Sequence, residues 1–222
     1  MSTATAPAAP RVAASRLALL ASLGVVIYLV IDGLLAVLRP DVSLLHQAES
    51  DYGVGPYSWL MDLNFLLRCA LSLAAAGAIL RLGAGSGRLR VGAGLLCAWG
   101  IGSGILAFFP DDPPGTPVTS AGGVHLIVAL IAFLCVAVGT IVLSIGFRHF
   151  PELVAVSPLL LVLSLVAVVP LLLLGHTHFQ AHSLDGLYER SFLALELLWL
   201  LVVALKLHQA SAADPKAVAD RP

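Results

Sequence analysis

The chain has 222 residues, of which 59% are hydrophobic and 11% charged, and its mean hydropathy is +0.98. Soluble globular domains are about 45–50% apolar and about 25% charged, so this composition excludes an ordinary soluble domain. The formal net charge is −1 at pH 7. Because the sequence shows no basic patch, we expect no nucleic-acid partner.

Apolar stretches of about 20 residues are long enough to cross a bilayer as helices. Successive stretches of this kind predict an all-α, polytopic membrane protein, a six-transmembrane-helix bundle with one membrane domain, 15–208. The Ala- and Pro-rich ends, 1–14 and 209–222, are predicted to be disordered tails. The first stretch exceeds the apolar core of a signal peptide, so we expect a retained helix. The predicted spans are 15–38, 57–80, 91–109, 123–147, 157–175 and 191–208.

Lys and Arg residues are unevenly divided between the two sides of this predicted bundle. With a cytoplasmic N-terminus, most of them fall on the inside, while Arg39 and Arg190 fall outside and Arg68 lies within the second span. Cytoplasmic loops of membrane proteins carry an excess of Lys and Arg. We therefore expect both termini in the cytoplasm and a multi-pass protein of the cell (plasma) membrane.

Three carboxylic acids lie inside the predicted spans: Asp32 in the first, Asp62 in the second and Glu196 in the sixth. With a rise of about 1.5 Å per residue, each lies roughly 8–10 Å below the outer boundary. An ionisable side chain inside a bilayer is costly and marks a candidate functional site. We therefore predict that these acids line one outward-facing polar chamber and act as its catalytic residues.

Arg68 is predicted to lie deeper than the acids, on the helix face that also carries Asn64. A buried Arg needs a counter-charge, and one of the three acids is the predicted partner. Tyr28, Trp59 and Trp199 lie within about one turn of those acids, where an aromatic ring can wall a pocket or anchor a helix at the interface. The alternative is an Arg68-centred ion-pair network that only holds the helices together.

Glycine and proline mark the packing of two spans. The third span contains GIGSG, in which Gly100 and Gly104 have the small-xxx-small spacing that lets helices approach closely. Pro170 is predicted to kink the fifth span near its outer end.

Histidines concentrate in the predicted outer loops. His176, His178 and His182 form an HxHxxxH pattern, and His125 lies at the outer end of the fourth span. Together with Glu189 or Asp185 they suggest a zinc site of mixed nitrogen and oxygen ligands with an open coordination position. A bis-His haem between the fourth and fifth spans is a further alternative. We expect no cofactor, with zinc as the alternative.

Three motifs resemble those of the domain-of-unknown-function 998 family. They are SDYGVGPYSWLM at the second span, FFPDDPPG followed by GGVHL at the fourth, and DGLYERSF at the sixth. The resemblance covers most of 15–208 and implies a bacterial, commonly actinobacterial, six-helix protein with signature residues on the outer side. It implies no function. The matching residues are Ser50, Asp51, Tyr52, Gly53, Gly55, Asp62, Pro110, Asp112, His125, Gly186, Glu189 and Arg190.

The function predicted from these features is binding, or conversion by acid–base chemistry, of a lipid-like or isoprenoid molecule, as in terpene cyclisation by buried acids. The alternatives are a zinc-dependent membrane hydrolase or haem protein at the outer face, and a non-enzymatic transporter subunit or scaffold. Expected partners are membrane lipids and a small hydrophobic or amphiphilic ligand, with homo-oligomerisation left open. The predicted ligand-binding residues are Tyr28, Asp51, Tyr52, Trp59, Asn64, Arg68, His125, Glu189, Arg190 and Trp199.

Overall fold

A computed structural model describes residues 8–83, 85–112, 115–177 and 183–212, with side chains from 11 to 210. Within these residues the chain is helical and without strands, and six of its helices are long and apolar enough to cross a membrane, as predicted. A 3-10 helix, Glu49–Gly53, follows the first of them. The six helices are α1 (Ala8–Leu38), α2 (Ser58–Gly83), α3 (Gly87–Leu106), α4 (Ser120–Gly146), α5 (Ser157–Thr177) and α6 (Asp185–Ala212).

Most helix ends differ from the predicted spans by a few residues, and the helices at the two ends of the chain extend furthest beyond them. Helix α1 begins at Ala8, within the segment assigned to a tail, and α6 continues to Ala212. Alanine is the best helix former, and Pro10 falls in the first turn of α1, where a missing N–H costs no hydrogen bond. Helix α5 runs through Pro170 from Ser157 to Thr177.

The six helices form a closed ring in chain order. Each helix packs on its neighbour in the sequence, and α6 packs back on α1. The Ser15 hydroxyl lies 2.9 Å from His208 Nδ1 at this closing contact, and Arg11 lies 4.0 Å from Glu152 at the same end of the ring. We call this the terminal end. The opposite end, the loop end, comprises 39–57, 107–112, 115–119 and 183–184.

Small residues bring α3 close to both neighbours. A Cβ on Gly100 would lie 2.9 Å from Ser72 Cβ of α2, and one on Gly104 would lie 3.2 Å from Cys69 Sγ. A Cβ on Gly92 would lie 2.5 Å from Leu143 of α4. The predicted close packing at Gly100 and Gly104 is confirmed.

The outer surface of the ring is apolar, as a lipid-facing surface must be. Val37 on α1, Ile127 on α4 and Leu172 on α5 are among its exposed large side chains. Without a hydrophobic driving force between helices in lipid, small-residue packing and interior polar contacts have to hold the bundle together. Those polar contacts concentrate toward the loop end.

The first loop is fastened to the bundle at two points. Arg39 is buried and donates hydrogen bonds to Asp41 and to the backbone carbonyls of Val54 and Pro56, at 2.7 and 3.0 Å. Gly186, at the start of α6, approaches the same loop so closely that a Cβ there would lie 2.2 Å from the Gln47 carbonyl oxygen. The loop therefore forms a fixed cover over one end of the ring.

Candidate functional site

A cavity of about 50 Å³ lies under this cover. A cavity needs roughly 10–15 Å³ to hold one water molecule, so this one has room for a small polar group. Its polar lining groups come from the first two loops and from α2, α4 and α6, while aliphatic and aromatic side chains form the remaining wall. The lining residues are Ala48, Ser50, Phe65, Arg68, Leu106, Asp111, His125, Leu126, Ala129, Phe133, Leu174 and Glu189.

Arg68 begins a chain of hydrogen bonds that crosses the ring from α2 to α6. Its Nη1 donates to the Tyr28 hydroxyl at 3.2 Å, and the Tyr28 hydroxyl donates to Glu49 Oε1 in a short contact. The backbone N–H of Glu49 donates to Glu189 Oε2 at 3.0 Å. All four side chains in this series of hydrogen bonds are buried. Because water does not screen these contacts, the hydrogen bonds fix the wall of the cavity.

Arg68 is held by neutral groups. Its Nε donates to the Ser103 hydroxyl at 2.8 Å, and its guanidinium lies 5.1 Å from the Phe65 ring centroid and 5.7 Å from that of Trp99. In the described part of the chain, no carboxylate forms a direct ion pair with it. The predicted salt bridge to Asp32, Asp62 or Glu196 is therefore wrong. Arg68 is instead connected through the Tyr28 hydroxyl to another acid, Glu49.

His125 and Asp111 face each other across the cavity lining. His125 Nδ1 donates to the Phe109 carbonyl at 2.7 Å, which directs Nε2 toward Asp111 Oδ2 at 3.8 Å. The Ser50 hydroxyl donates to the same Oδ2 at 2.9 Å. The 3.8 Å separation is too long for a hydrogen bond, so Nε2 and Oδ2 are not committed to each other. The arrangement suits general acid–base catalysis.

Arg190 lies between the first loop and the start of α6, near Glu189. Its Nη1 donates to the carbonyls of Gln47 and Leu44 at 2.7 and 3.3 Å, and its guanidinium lies 5.3 Å from the Tyr52 ring centroid. It also interacts electrostatically with Glu189 and Asp32. Arg190 thus joins the first loop to α6 and supplies positive charge beside buried acids.

Asp51 lies in the 3-10 helix beside this network and is 8% exposed. Burial raises its pKa to about 6, and the negative charge of Asp111 adds to the effect. Desolvation and a like charge both disfavour the carboxylate form. The site therefore contains an acid that takes up a proton close to physiological pH.

The structure does not bring the three predicted catalytic acids together. Asp32 lies on α1 within electrostatic reach of Glu49, and its Oδ1 has no hydrogen-bond partner among the described residues. Asp62 is half-buried on α2 and is absent from the cavity lining. Glu196 is fully buried, 3.5 Å from Thr140 of α4. The three acids do not share one chamber, and none of them lines the cavity. Their catalytic roles remain predictions.

The remaining predicted ligand-binding residues fall into two groups. Asn64 is buried, donates to the Tyr28 carbonyl at 3.3 Å and supports the hydrogen-bonded chain from below. Tyr52 is buried under Arg190. Trp59 is 62% exposed on the outside of the ring, which suits an interfacial anchor better than a pocket wall. Trp199 is buried, but it lies away from the cavity and donates to Ser144 at 2.9 Å.

The metal alternatives depend on residues that are only partly described. Among the described residues, no group of three or more His, Cys, Asp or Glu side chains can hold a metal ion. His125 is in the cavity, and His176 is exposed at the end of α5. His178 and His182 lie outside the described residues, so the zinc and haem alternatives stay predictions.

Sequence reasoning missed Glu49 and Asp111 as parts of the site. Both are loop carboxylates, and a polar loop usually indicates solvent exposure rather than burial. Glu49 begins the 3-10 helix Glu49–Gly53, in which the first four residues are all buried. The sequence signal that could have identified them is their position beside family motifs. Glu49 directly precedes SDYG, and Asp111 directly precedes Asp112 in FFPDDPPG.

The fold and site define a multi-pass membrane protein whose helix ring encloses a small polar cavity at one end. A family model described as "Protein of unknown function (DUF998)" matches residues 22–206. The chain belongs to this family, as its motifs indicate. Neither the curated proteins nor the solved structures contain a match to the chain.

Proposed function

We propose that the protein binds an amphiphilic, lipid-like molecule, such as an isoprenoid, with an anionic head group in the cavity. The observation that carries the proposal is Arg68, a buried cation in a cavity wall with no directly paired carboxylate among the described residues. Its two side-chain hydrogen bonds use Nε and Nη1. The Nη2 group is thus available to a ligand, and planar guanidinium groups bind phosphate and carboxylate well.

The apolar part of the cavity fits the chain of such a molecule. Phe65, Phe133 and Leu174 line it, and Leu126, which is also in the lining, is 49% exposed. Leu126 thus belongs both to the cavity lining and to the exposed apolar surface of α4, so a hydrocarbon chain bound beside it can lie in the membrane. This geometry supports a ligand that enters from the bilayer.

Acid–base chemistry on the bound head group belongs in this proposal to His125, Asp111 and Glu189, which line the cavity. His125 Nε2 and Asp111 Oδ2 lie 3.8 Å apart, and Glu189 supplies a second carboxyl group. We further propose the plasma membrane, with the loop end outside, because Lys and Arg residues concentrate toward the terminal end.

Binding is tested with farnesyl phosphate, farnesol and inorganic phosphate added to the purified protein in detergent. A hundredfold excess over Kd stabilises a protein by about 2.7 kcal/mol, or roughly 5–10 °C in melting temperature at this chain length. We expect farnesyl phosphate to give this rise, and farnesol and inorganic phosphate to give less. Equal responses to farnesyl phosphate and farnesol would show that Arg68 does not bind the head group.

The matched variants separate charge from folding. Arg68→Gln should abolish the preference for farnesyl phosphate, Arg68→Lys should keep part of it, and Arg148→Gln, an exposed change near the terminal end, should leave it intact. No response to any of the three compounds, together with lipid-free purified protein by mass spectrometry, would contradict the proposal.

The catalytic part is tested with His125→Asn, whose amide keeps a donor toward the Phe109 carbonyl but removes Nε2. Its control is His46→Asn, since His46 Nδ1 similarly donates to the Ser183 carbonyl at 2.9 Å. We expect lipid profiles of membranes containing His125→Asn to lose a product present with the wild type and with His46→Asn. Identical profiles would leave a binding protein without catalysis.

A further inference from the structure

A second polar cluster lies inside the ring, between α4, α5 and α6. It consists of Glu196, Thr140, Ser144, Ser164 and Trp199, and each side chain is at most 1% exposed. None of them lines the cavity. The aromatic side chains of Phe133, at the edge of the cavity lining, and Phe192 have ring centroids 5.1 Å apart. Along α4 and α6 this pair lies between the cluster and the other cavity residues of the same helices. The cluster is thus separate from the site described above.

The hydroxyl hydrogens of the cluster are used within their own helices. The Thr140 hydroxyl donates to the Val136 carbonyl at 3.0 Å, and the Ser144 hydroxyl donates to the Thr140 carbonyl at 2.6 Å. The Ser164 hydroxyl donates to the Leu160 carbonyl at 3.0 Å. A hydroxyl has a single hydrogen to donate, so these three oxygens present acceptor lone pairs to the rest of the cluster.

Donors are therefore scarce around Glu196. The Trp199 indole N–H donates to the Ser144 hydroxyl at 2.9 Å. Glu196 Oε1 lies 3.5 Å from Thr140 Oγ1, and Glu196 Oε2 has no hydrogen-bond partner among the described residues. An ionised Glu196 would add further acceptors to a group that already has too many.

No positive charge compensates for that surplus. Within the described part of the chain, no charged side chain interacts electrostatically with Glu196. Helix α5 carries no Asp, Glu, Lys or Arg. An uncompensated carboxylate in the interior of a bilayer is costly. The helices packed around Glu196 do carry charged or titratable side chains, but none of these pairs with Glu196. They include Arg16 and Asp32 on α1, Asp62 and Arg68 on α2, His125 on α4 and Glu189 on α6.

We propose that Glu196 is a proton-binding site in the bilayer interior, with the bound proton directed from Oε1 to Thr140 Oγ1. This assignment turns the Thr140–Glu196 contact into a hydrogen bond without taking the Thr140 hydrogen from the Val136 carbonyl. It also removes the uncompensated charge. The site is independent of ligand binding at the cavity, so it stands if that proposal fails.

The test is infrared spectroscopy of the purified protein at pH 7.5, comparing the wild type with Glu196→Gln. A protonated carboxylic acid has a carbonyl stretch that an ionised carboxylate lacks. We expect the difference spectrum to show the loss of one such band, shifted in heavy water. The control is Asp41→Asn, because hydrogen bonds from Arg39 lower the Asp41 pKa and its removal should subtract carboxylate bands instead.

A second variant locates the proton. Thr140→Val removes the acceptor and should move the Glu196 band to the higher frequency of a free acid. Loss of carboxylate bands, rather than of an acid band, in the Glu196→Gln difference spectrum would overturn the proposal. If those carboxylate bands differ between sodium chloride and choline chloride, they would point to a bound sodium ion instead. If Glu196→Gln does not fold, an unmoved acid band in Thr140→Val overturns the assignment equally.

Discussion

Asp51 is a buried acid whose ionisation the folded protein disfavours. Its pKa is raised to about 6 by burial and by Asp111, whereas an unfolded Asp titrates near 3.9. Between about pH 4 and pH 6 the folded state therefore binds more protons than the unfolded state. The free energy of unfolding falls as pH rises through this window, by at most about 3 kcal/mol from this residue.

We predict that Asp51→Asn raises the melting temperature at pH 8 and leaves it nearly unchanged at pH 4, where the wild-type acid is already neutral. Thermal unfolding in detergent at both pH values checks this. Asp41→Asn is the control, because Asp41 is stabilised in its charged form by Arg39, so its replacement should not stabilise the protein at pH 8. A gain that is equal at both pH values would contradict the titration argument.

Single residues were the hardest scale to predict from the sequence. Arg68, His125 and Glu189 were all expected in the site, since their charge or motif set them apart, and all three line the cavity. Asp62 and Glu196 were expected at the same depth, but depth along a helix does not determine the direction of a side chain around it. Glu49 shows the converse, because a loop position does not reveal burial.

At the scale of helices, α3 depends on glycine at defined faces. Gly100 contacts α2, where a Cβ would lie 2.9 Å from Ser72 and 3.2 Å from the Cys69 carbonyl, whereas a Cβ on Gly94 would meet nothing within 4 Å. Both glycines lie inside the same helix. The same substitution at both positions changes the helix propensity equally, so any difference in stability reports the packing of α3 on α2.

We predict that Gly100→Val destabilises the bundle by about 1–3 kcal/mol relative to Gly94→Val, the range for overpacking a close contact. Steric trapping or thermal unfolding of the two variants measures the difference. Equal stabilities would mean that α2 and α3 separate without cost at this point, contrary to the tight approach at Cys69.

Helices were the best predicted elements, for a physical reason. A span needs about 20 apolar residues to satisfy its backbone in lipid, and this requirement is visible in any window of the sequence. The ends were less certain, as Ala8 shows at α1. The 3-10 helix Glu49–Gly53 had no periodic signal, since a piece this short is fixed by its contacts with α2 and α6.

At the scale of the molecule, the proposed orientation in the membrane rests on the distribution of Lys and Arg. Leu45 is an exposed loop-end residue, and Gly85 lies in the short connection at the terminal end, where a Cβ meets nothing within 4 Å. With both termini in the cytoplasm, a cysteine at Leu45 faces outward and one at Gly85 faces the cytoplasm.

We predict that Leu45→Cys reacts with a membrane-impermeant maleimide in intact cells, whereas Gly85→Cys reacts only after permeabilisation. The unmodified chain reports the background from its three cysteines, Cys69, Cys97 and Cys135. The reverse labelling pattern would place the cavity on the cytoplasmic side and overturn the proposed orientation.

Closure of the ring by α1 against α6 imposes an order on biosynthesis. Domains form from the N-terminus during synthesis, so α1 enters the membrane with Tyr28 while the partners of that hydroxyl, Glu49 and Arg68, are still to be made. Glu189 arrives last, on α6. A nascent chain that stops before α6 thus lacks Glu189 and leaves the interior face of α1 uncovered until α6 packs against it.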